Sequence, residues 1–110
     1  MRIEEIKTLI KSIGFKTTYY QWPEKKVPPL PYVVWYFPRS ANFAADNQVY
    51  KQIEVLNIEL YTAEKNFTAE AVVENVLDGA GFVWDKSETY LKSEDMYEVL
   101  YEMEVIINGE

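Results

Sequence analysis

Glu98, Glu102 and Glu104, with Glu94 and Asp95 just before them, form the densest set of chemically capable side chains in the sequence. A metal site or a glycosidase pair would need such carboxylates to converge in a cleft. Within "MYEVLYEMEVII" they instead alternate with Tyr97, Val99, Tyr101, Met103, Val105 and Ile107. Strand periodicity therefore sets the acids along one face and the apolar set along the other. The spacing predicts a solvated or interface-lining row rather than a catalytic centre. The remaining repertoire is narrow. There is no histidine and no cysteine, which removes the commonest general base near neutral pH, thiolate metal sites and disulfides. "LDGAGF" carries two glycines ahead of a strand, but nucleotide-binding fingerprints place them between a strand and the following helix, whereas these end a helix. The expectation is a protein that is not an enzyme, with no catalytic residue, no cofactor and no metal.

The elements that position these groups belong to one domain spanning residues 1–110, enough chain for a single modest core. Ile3, Ile6, Leu9, Ile10 and Ile13 recur at helical spacing and Gly14 follows, which predicts an amphipathic helix over 3–13. "FKTTYYQW" reads as a strand. "PEKKVPPLP" holds four of the five prolines and is a stiff, extended linker, because proline donates no ladder hydrogen bond. A proline-recognition ligand is the weaker reading, since the adjoining strand would have to unfold. "YVVWYF" is short and wholly apolar, as a strand covered on both faces would be.

"QVYKQIEVLNIELYT" predicts a long strand whose apolar positions change phase between Val55 and Leu56. Either a bulge sits there, or the two halves pack against different things. "FTAEAVVENVLDGAGF" predicts a second helix, with Ala69, Val72, Val73, Val76, Leu77 and Ala80 in one stripe and Glu70, Glu74 and Asp78 opposite. Thr68 is its expected N-cap, and Gly79 or Gly81 its left-handed end. "FVWDKSETYL" and the acidic segment complete the order α-β-β-β-α-β-β. This is an α+β fold of two layers, with a largely antiparallel sheet and two helices on one face. There are more large rings than one small core needs, and the surplus among Tyr19, Tyr20, Trp22, Trp35, Tyr36, Trp84, Tyr90, Tyr97 and Tyr101 is expected at a subunit interface.

Net charge is −7, unevenly placed: residues 1–51 hold eight basic and four acidic side chains, and residues 52–110 hold three basic and fourteen acidic. Nucleic-acid binding through a basic face is not expected. Ordinary solubility accounts for such a balance, and so do complementary surfaces in a head-to-tail assembly. No apolar run approaches the roughly 20 residues that span a bilayer. Acids and lysines interrupt the first helix, so no secretion signal is read there and no membrane is expected.

The segments "IEEIKTLIKSIG", "PPLPYVVWYFP", "NQVYKQIEVLNIELYTAEKNF" and "AVVENVLDGAGFVWDKSETYLKSEDMYEVLYEMEV" together resemble a family of short head–tail junction proteins from tailed phages and prophages. These are related to the lambda-like tail terminators, or tail completion proteins. The resemblance implies a homo-oligomeric ring, typically a hexamer, assembled in the host cytoplasm and located at the tail–head junction of the virion. It would cap the tail tube, end tube polymerisation and dock to the head connector protein. Tube protein, connector protein and further copies of the chain are the implied partners, and no catalytic residue carries over. Two alternatives stand beside it. One is a neighbouring connector or minor tail protein. The other is a small bacterial adaptor that binds through a sheet edge.

"FPRSANFAADNQVY" takes on meaning in this frame. It is longer than a tight turn requires, and Ala41, Asn42, Ala44, Ala45, Asp46 and Asn47 within it are small or turn-prone, with Phe43 as their anchor. A mobile surface loop is one reading. The other is a strand extension that projects into a ring lumen or to a neighbour, with Arg39, Asn42, Phe43, Asp46, Asn47 and Tyr50 as interface residues. Glu98, Glu102 and Glu104 form the second expected interface.

Overall fold

The computed structural model describes residues 1–45 and 48–108. Its elements are α1 (Ile3–Lys11), β1 (Lys16–Tyr19), β2 (Tyr32–Ser40), β3 (Phe43–Ala45), β4 (Gln48–Lys51), β5 (Ile53–Thr62), α2 (Phe67–Gly79), β6 (Trp84–Leu91) and β7 (Met96–Ile106). Five strands form one sheet in the order β1-β2-β5-β7-β6, and β3 and β4 pair as a separate two-stranded sheet. With that hairpin set aside, the main layer follows the expected α-β-β-β-α-β-β order.

Three of the four pairings in the main sheet are antiparallel, and β1 runs parallel to β2. Parallel neighbours need a crossover of about a dozen residues, and the proline-rich segment supplies it. It returns over the sheet face away from the helices, where Trp22 meets Tyr32 edge-on with ring centroids 5.5 Å apart. Covered by this segment on one side and by the helices on the other, Tyr32, Val33, Val34 and Trp35 are all buried. That explains why "YVVWYF" has no polar alternation.

The helices lie on the opposite face. Ile6 and Ile10 of the first, which ends at Lys11 rather than at residue 13, with Ile13 just past it, and Ala69, Val73 and Leu77 of the second, join one core with Val33, Trp35, Leu56, Ile58, Leu60, Val99, Tyr101, Met103 and Val105. Each fully buried aliphatic side chain there contributes about 1.5–3 kcal/mol. α2 begins differently from expectation. Asn66, not Thr68, is the N-cap, its side chain accepting the Ala69 N–H at 2.9 Å. The helix closes as the glycines suggest. Gly81 sits at φ +80°, and the Gly81 and Phe82 N–H groups bond back to the Asp78 and Leu77 carbonyls.

The phase change at Val55–Leu56 is no bulge. β5 pairs with β7 without interruption from Ile53 to Thr62, and both faces are apolar because Val55 and Leu56 are both buried. The long strand divides earlier, at Gln52. Beyond it β4 pairs with β3 rather than with the main sheet, so the two halves have different neighbours. The register irregularity falls on β2 instead, between Tyr36 and Arg39, where Pro38 withholds its ladder donor.

Candidate functional site

The sheet face turned away from the helices brings Tyr36, Glu59, Tyr61 and Glu98 together. Register explains why: Tyr61 pairs with Glu98 across β5 and β7, and Glu59, two residues before Tyr61 and so on the same face, is a diagonal neighbour of Tyr36, which pairs with Asn57. The Tyr36 hydroxyl donates to Glu59 Oε2 at 2.7 Å. Tyr61 Oη lies 2.7 Å from Glu59 Oε1 and 2.9 Å from Glu98 Oε2. A phenol has one hydrogen to give, so Tyr61 donates to one of the two carboxylates at a time. Burial pushes the Glu98 carboxyl above the ordinary range, and the charge of Glu59 adds to this against the lowering effect of the Tyr61 hydrogen bond. Tyr61 and Tyr36 are pushed up as well, first by burial and then through Glu59, so both hydroxyls stay protonated.

Beside the base of the hairpin, Arg39 and Glu102 share this face of the sheet. Arg39, at the exposed end of β2, pairs with Glu102 Oε2 at 3.6 Å. Asn42 closes the base of the hairpin, its Oδ1 accepting the Ile53 N–H at 3.0 Å, and Ser40 donates to Glu54 at 2.9 Å. Phe43 lies in β3 and Tyr50 in β4. Asp46 and Asn47 lie outside the described residues. Of the acidic row, Glu98 is half-buried within the tyrosine cluster, Glu102 is half-exposed against Arg39, and Glu104 is exposed. The structure thus joins one member of each expected interface, Arg39 and Glu102. A shallow depression beside them is lined by Val55, Phe82, Val83, Asp85 and Glu104.

Sequence reasoning set Glu70, Glu74 and Asp78 on the solvent side of α2. That placement is corrected for Glu70, which is 3% exposed. Its carboxylate meets Lys65 at 2.5 Å and Lys86 at 3.2 Å. Glu74 accepts from Lys86 and from the Tyr101 hydroxyl, both at 2.8 Å. Burial alone would raise the Glu74 carboxyl, but bonds from Lys86 and Tyr101 outweigh it and hold the group below its ordinary value. The 13-residue helix lies above β6 and β7, so one carboxylate-bearing flank faces the inward side chain of Lys86 on β6. The trace in the sequence is slight: Glu70 and Glu74 at i, i+4, with a lysine on each side of the helix. Asp78 also has a tie, accepting from Trp84 Nε1 at 2.9 Å.

The rings divide. Trp35 and Tyr101 belong to the core, while Tyr19, Tyr20 and Tyr90 stand 51%, 64% and 46% exposed. Tyr19, Tyr20, Tyr36, Phe37 and Pro38 line a second depression. Val83 is 89% exposed. Among the described residues, no helix is long and apolar enough to cross a membrane.

No family model matches the sequence, and no curated protein does. Among solved structures the fold is shared with a chain from the virion of a native gene transfer agent particle. The TM-score is 0.64 at 19% identity, covering 92% of this chain and 84% of that one. On this chain's side, the shared fold is an α+β one of two helices backing a mixed five-stranded sheet.

Proposed function

We infer that this chain is a structural assembly protein of a phage-like particle. It forms an oligomeric ring, a hexamer by the family resemblance, that caps the tail tube, ends its polymerisation and docks to the head connector. The observation that carries this reading is the fold shared with a gene transfer agent virion component over nearly the whole length of both chains. Two features of the site support it. A β3–β4 hairpin leaves the main sheet at Gln52, a natural element for a ring lumen or a neighbouring subunit. The clustered groups of the open face bind one another through tyrosine–carboxylate hydrogen bonds, a structural use of ionisable side chains rather than a catalytic one. The particle carrying it is the virion, at the junction of head and tail.

Tube capping is directly measurable. Purified chain is added to growing tail tubes of the same particle, and tube length and end density are read by electron microscopy. The expected result is arrested growth with extra density at one end of each tube. Unchanged growth with bare ends overturns the reading. Density on connectors with none on tubes reassigns the chain to a neighbouring connector protein.

A further inference from the structure

The strand order sorts the charge. Residues 1–51 carry a balance of +4 and residues 52–110 a balance of −11. The sheet order β1-β2-β5-β7-β6 sends these halves to opposite margins. At one margin stand β1 with Lys16 and the adjoining α1 with Lys7 and Lys11. At the other stand β6 with Asp85 and Glu88, the turn with Glu94 and Asp95, and α2 with Glu74 and Asp78 above. Of the three lysines of the acidic half, Lys65 and Lys86 are already engaged by Glu70, Glu74 and Glu88, and Lys92 lies in the turn beside Glu94 and Asp95, where the acids still outnumber it.

Both margins are open strand edges within the described residues, and both carry exposed apolar side chains. Tyr19 ends β1 and Tyr20 follows it, while Val83 precedes β6 and Tyr90 lies along it. Edges left bare are templates for pairing with another chain. The Tyr20 N–H bonds to the Trp35 carbonyl. By strand alternation Thr17 therefore turns its backbone groups away from β2, toward the free side.

We propose that β1 of one copy pairs antiparallel with β6 of the next, continuing the sheet head to tail between identical subunits. Direction agrees. β1, β2 and β7 run one way and β5 and β6 the other, so a repeat in the same orientation sets β6 beside an antiparallel β1. Side-chain facing selects the register in which Thr18 lies opposite Asp85 and Lys16 opposite Ser87, all on the face away from the helices. Lys16 is then a diagonal neighbour of Asp85. The same register brings Tyr19 to Trp84 and Tyr20 to Val83, covering the most exposed apolar side chain of the margin. In the helix layer, the lysines of α1 approach the acids of α2. Such a contact is heterologous, which generates a ring if the rotation closes. The partner is a second copy of this chain, and the interface rests on the ring-forming role inferred above.

The absence of cysteine makes the test clean. A chain carrying Thr18→Cys and Asp85→Cys is expected to give, on oxidation, a ladder of multimers that collapses with reductant. The two positions lie four strand spacings apart in one molecule, roughly 19 Å, so the bond cannot close within it. Sedimentation then tests charge. Lys16→Glu and Asp85→Lys should each weaken self-association roughly tenfold. Their equimolar mixture should recover it, because each altered edge meets its complement in alternating order. An absent ladder, single variants that associate like the unaltered chain, or a mixture that stays dissociated overturns the proposal. Circular dichroism of each variant keeps a folding defect from passing as a result, and the cysteine arm stands if a charge variant fails to fold. Tubes capped without cross-links or rescue would leave the function standing and remove this interface. Rescue without capping would do the reverse.

Discussion

Arg39 Nη1 lies 3.6 Å from Glu102 Oε2, and this contact ties the end of β2, beyond its irregular register, to the middle of β7. The hairpin base is thereby held over the acidic row. Both side chains are substantially exposed, at 64% and 45%, so screening leaves the pair worth little to stability. Arg39→Ala should shift the urea midpoint by an amount equivalent to about 0.5 kcal/mol or less. Tube capping by the same variant should fall clearly. A large loss of stability with capping intact would reverse both roles.

The cluster beneath α2 should behave in the opposite way. Glu70 is buried between Lys65 and Lys86, and removing its charge leaves Lys65 with Glu88 alone and Lys86 with Glu74 alone. Glu70→Ala is expected to cost about 2–3 kcal/mol, below the full penalty for a buried pair because both lysines reach solvent. Tyr101→Phe deletes one hydrogen bond to Glu74 while keeping the ring against Trp84, and should cost about 1 kcal/mol. Chemical denaturation of the three proteins, with unchanged slopes, gives the ranking.

Two carboxyls give pH dependence of opposite sign. Glu98 is held above its ordinary value in the fold, so the folded state keeps a proton that the unfolded chain releases. Its contribution is complete below the usual carboxylate range and is lost as pH rises through the raised value. Glu74 is held low. Its contribution is present above the usual range and is lost as pH falls through the lowered value. Glu98→Gln should flatten the decline on the rising side, and Glu74→Gln the decline on the acid side. Melting temperatures across pH 3 to pH 8, expected to differ only in those limbs, check both signs.

The end of α2 offers a backbone test. Gly81 sits at φ +80°, and a Cβ there would meet nothing within 4 Å, so strain alone sets the effect of substitution. Gly81→Ala should destabilise by about 1 kcal/mol. Gly79 is the last helical residue and equally uncrowded, and Gly79→Ala should stabilise slightly by restricting the unfolded chain. Equal effects at the two sites would contradict the assigned helix end.

Much of this architecture was legible because its signals are local. Ile6 and Ile10 of the α1 stripe are buried, with Ile13 just past the helix, while Ile3 at its start stays exposed, and the apolar run Tyr32–Trp35 is buried throughout. The two-layer fold with helices on one side follows from element order. Thr68 misled because two neighbouring polar residues could each cap the helix, and chain direction into α2 selected Asn66. Glu70 misled because a helical wheel separates apolar from charged without knowing that a lysine on a later strand would lie beneath the charged flank. The Val55–Leu56 phase change suggests either a bulge or two differently packed halves, and it records a strand buried on both faces with no bulge in its pairing to β7.

By itself the amino-acid sequence determined the elements, the absence of thiol and imidazole chemistry, and the uneven charge along the chain. These depend on residue type and short-range spacing, which hydrophobic periodicity and backbone sterics translate directly. The tertiary structure decided what pairing over long separation decides. It set β1 parallel beside β2, gathered Tyr36, Glu59, Tyr61 and Glu98 from three strands, and brought Arg39 to Glu102. It also carried the basic and acidic halves to opposite edges of one sheet. Strand neighbours are chosen by the collective burial of a shared core, and no local window of sequence contains that choice.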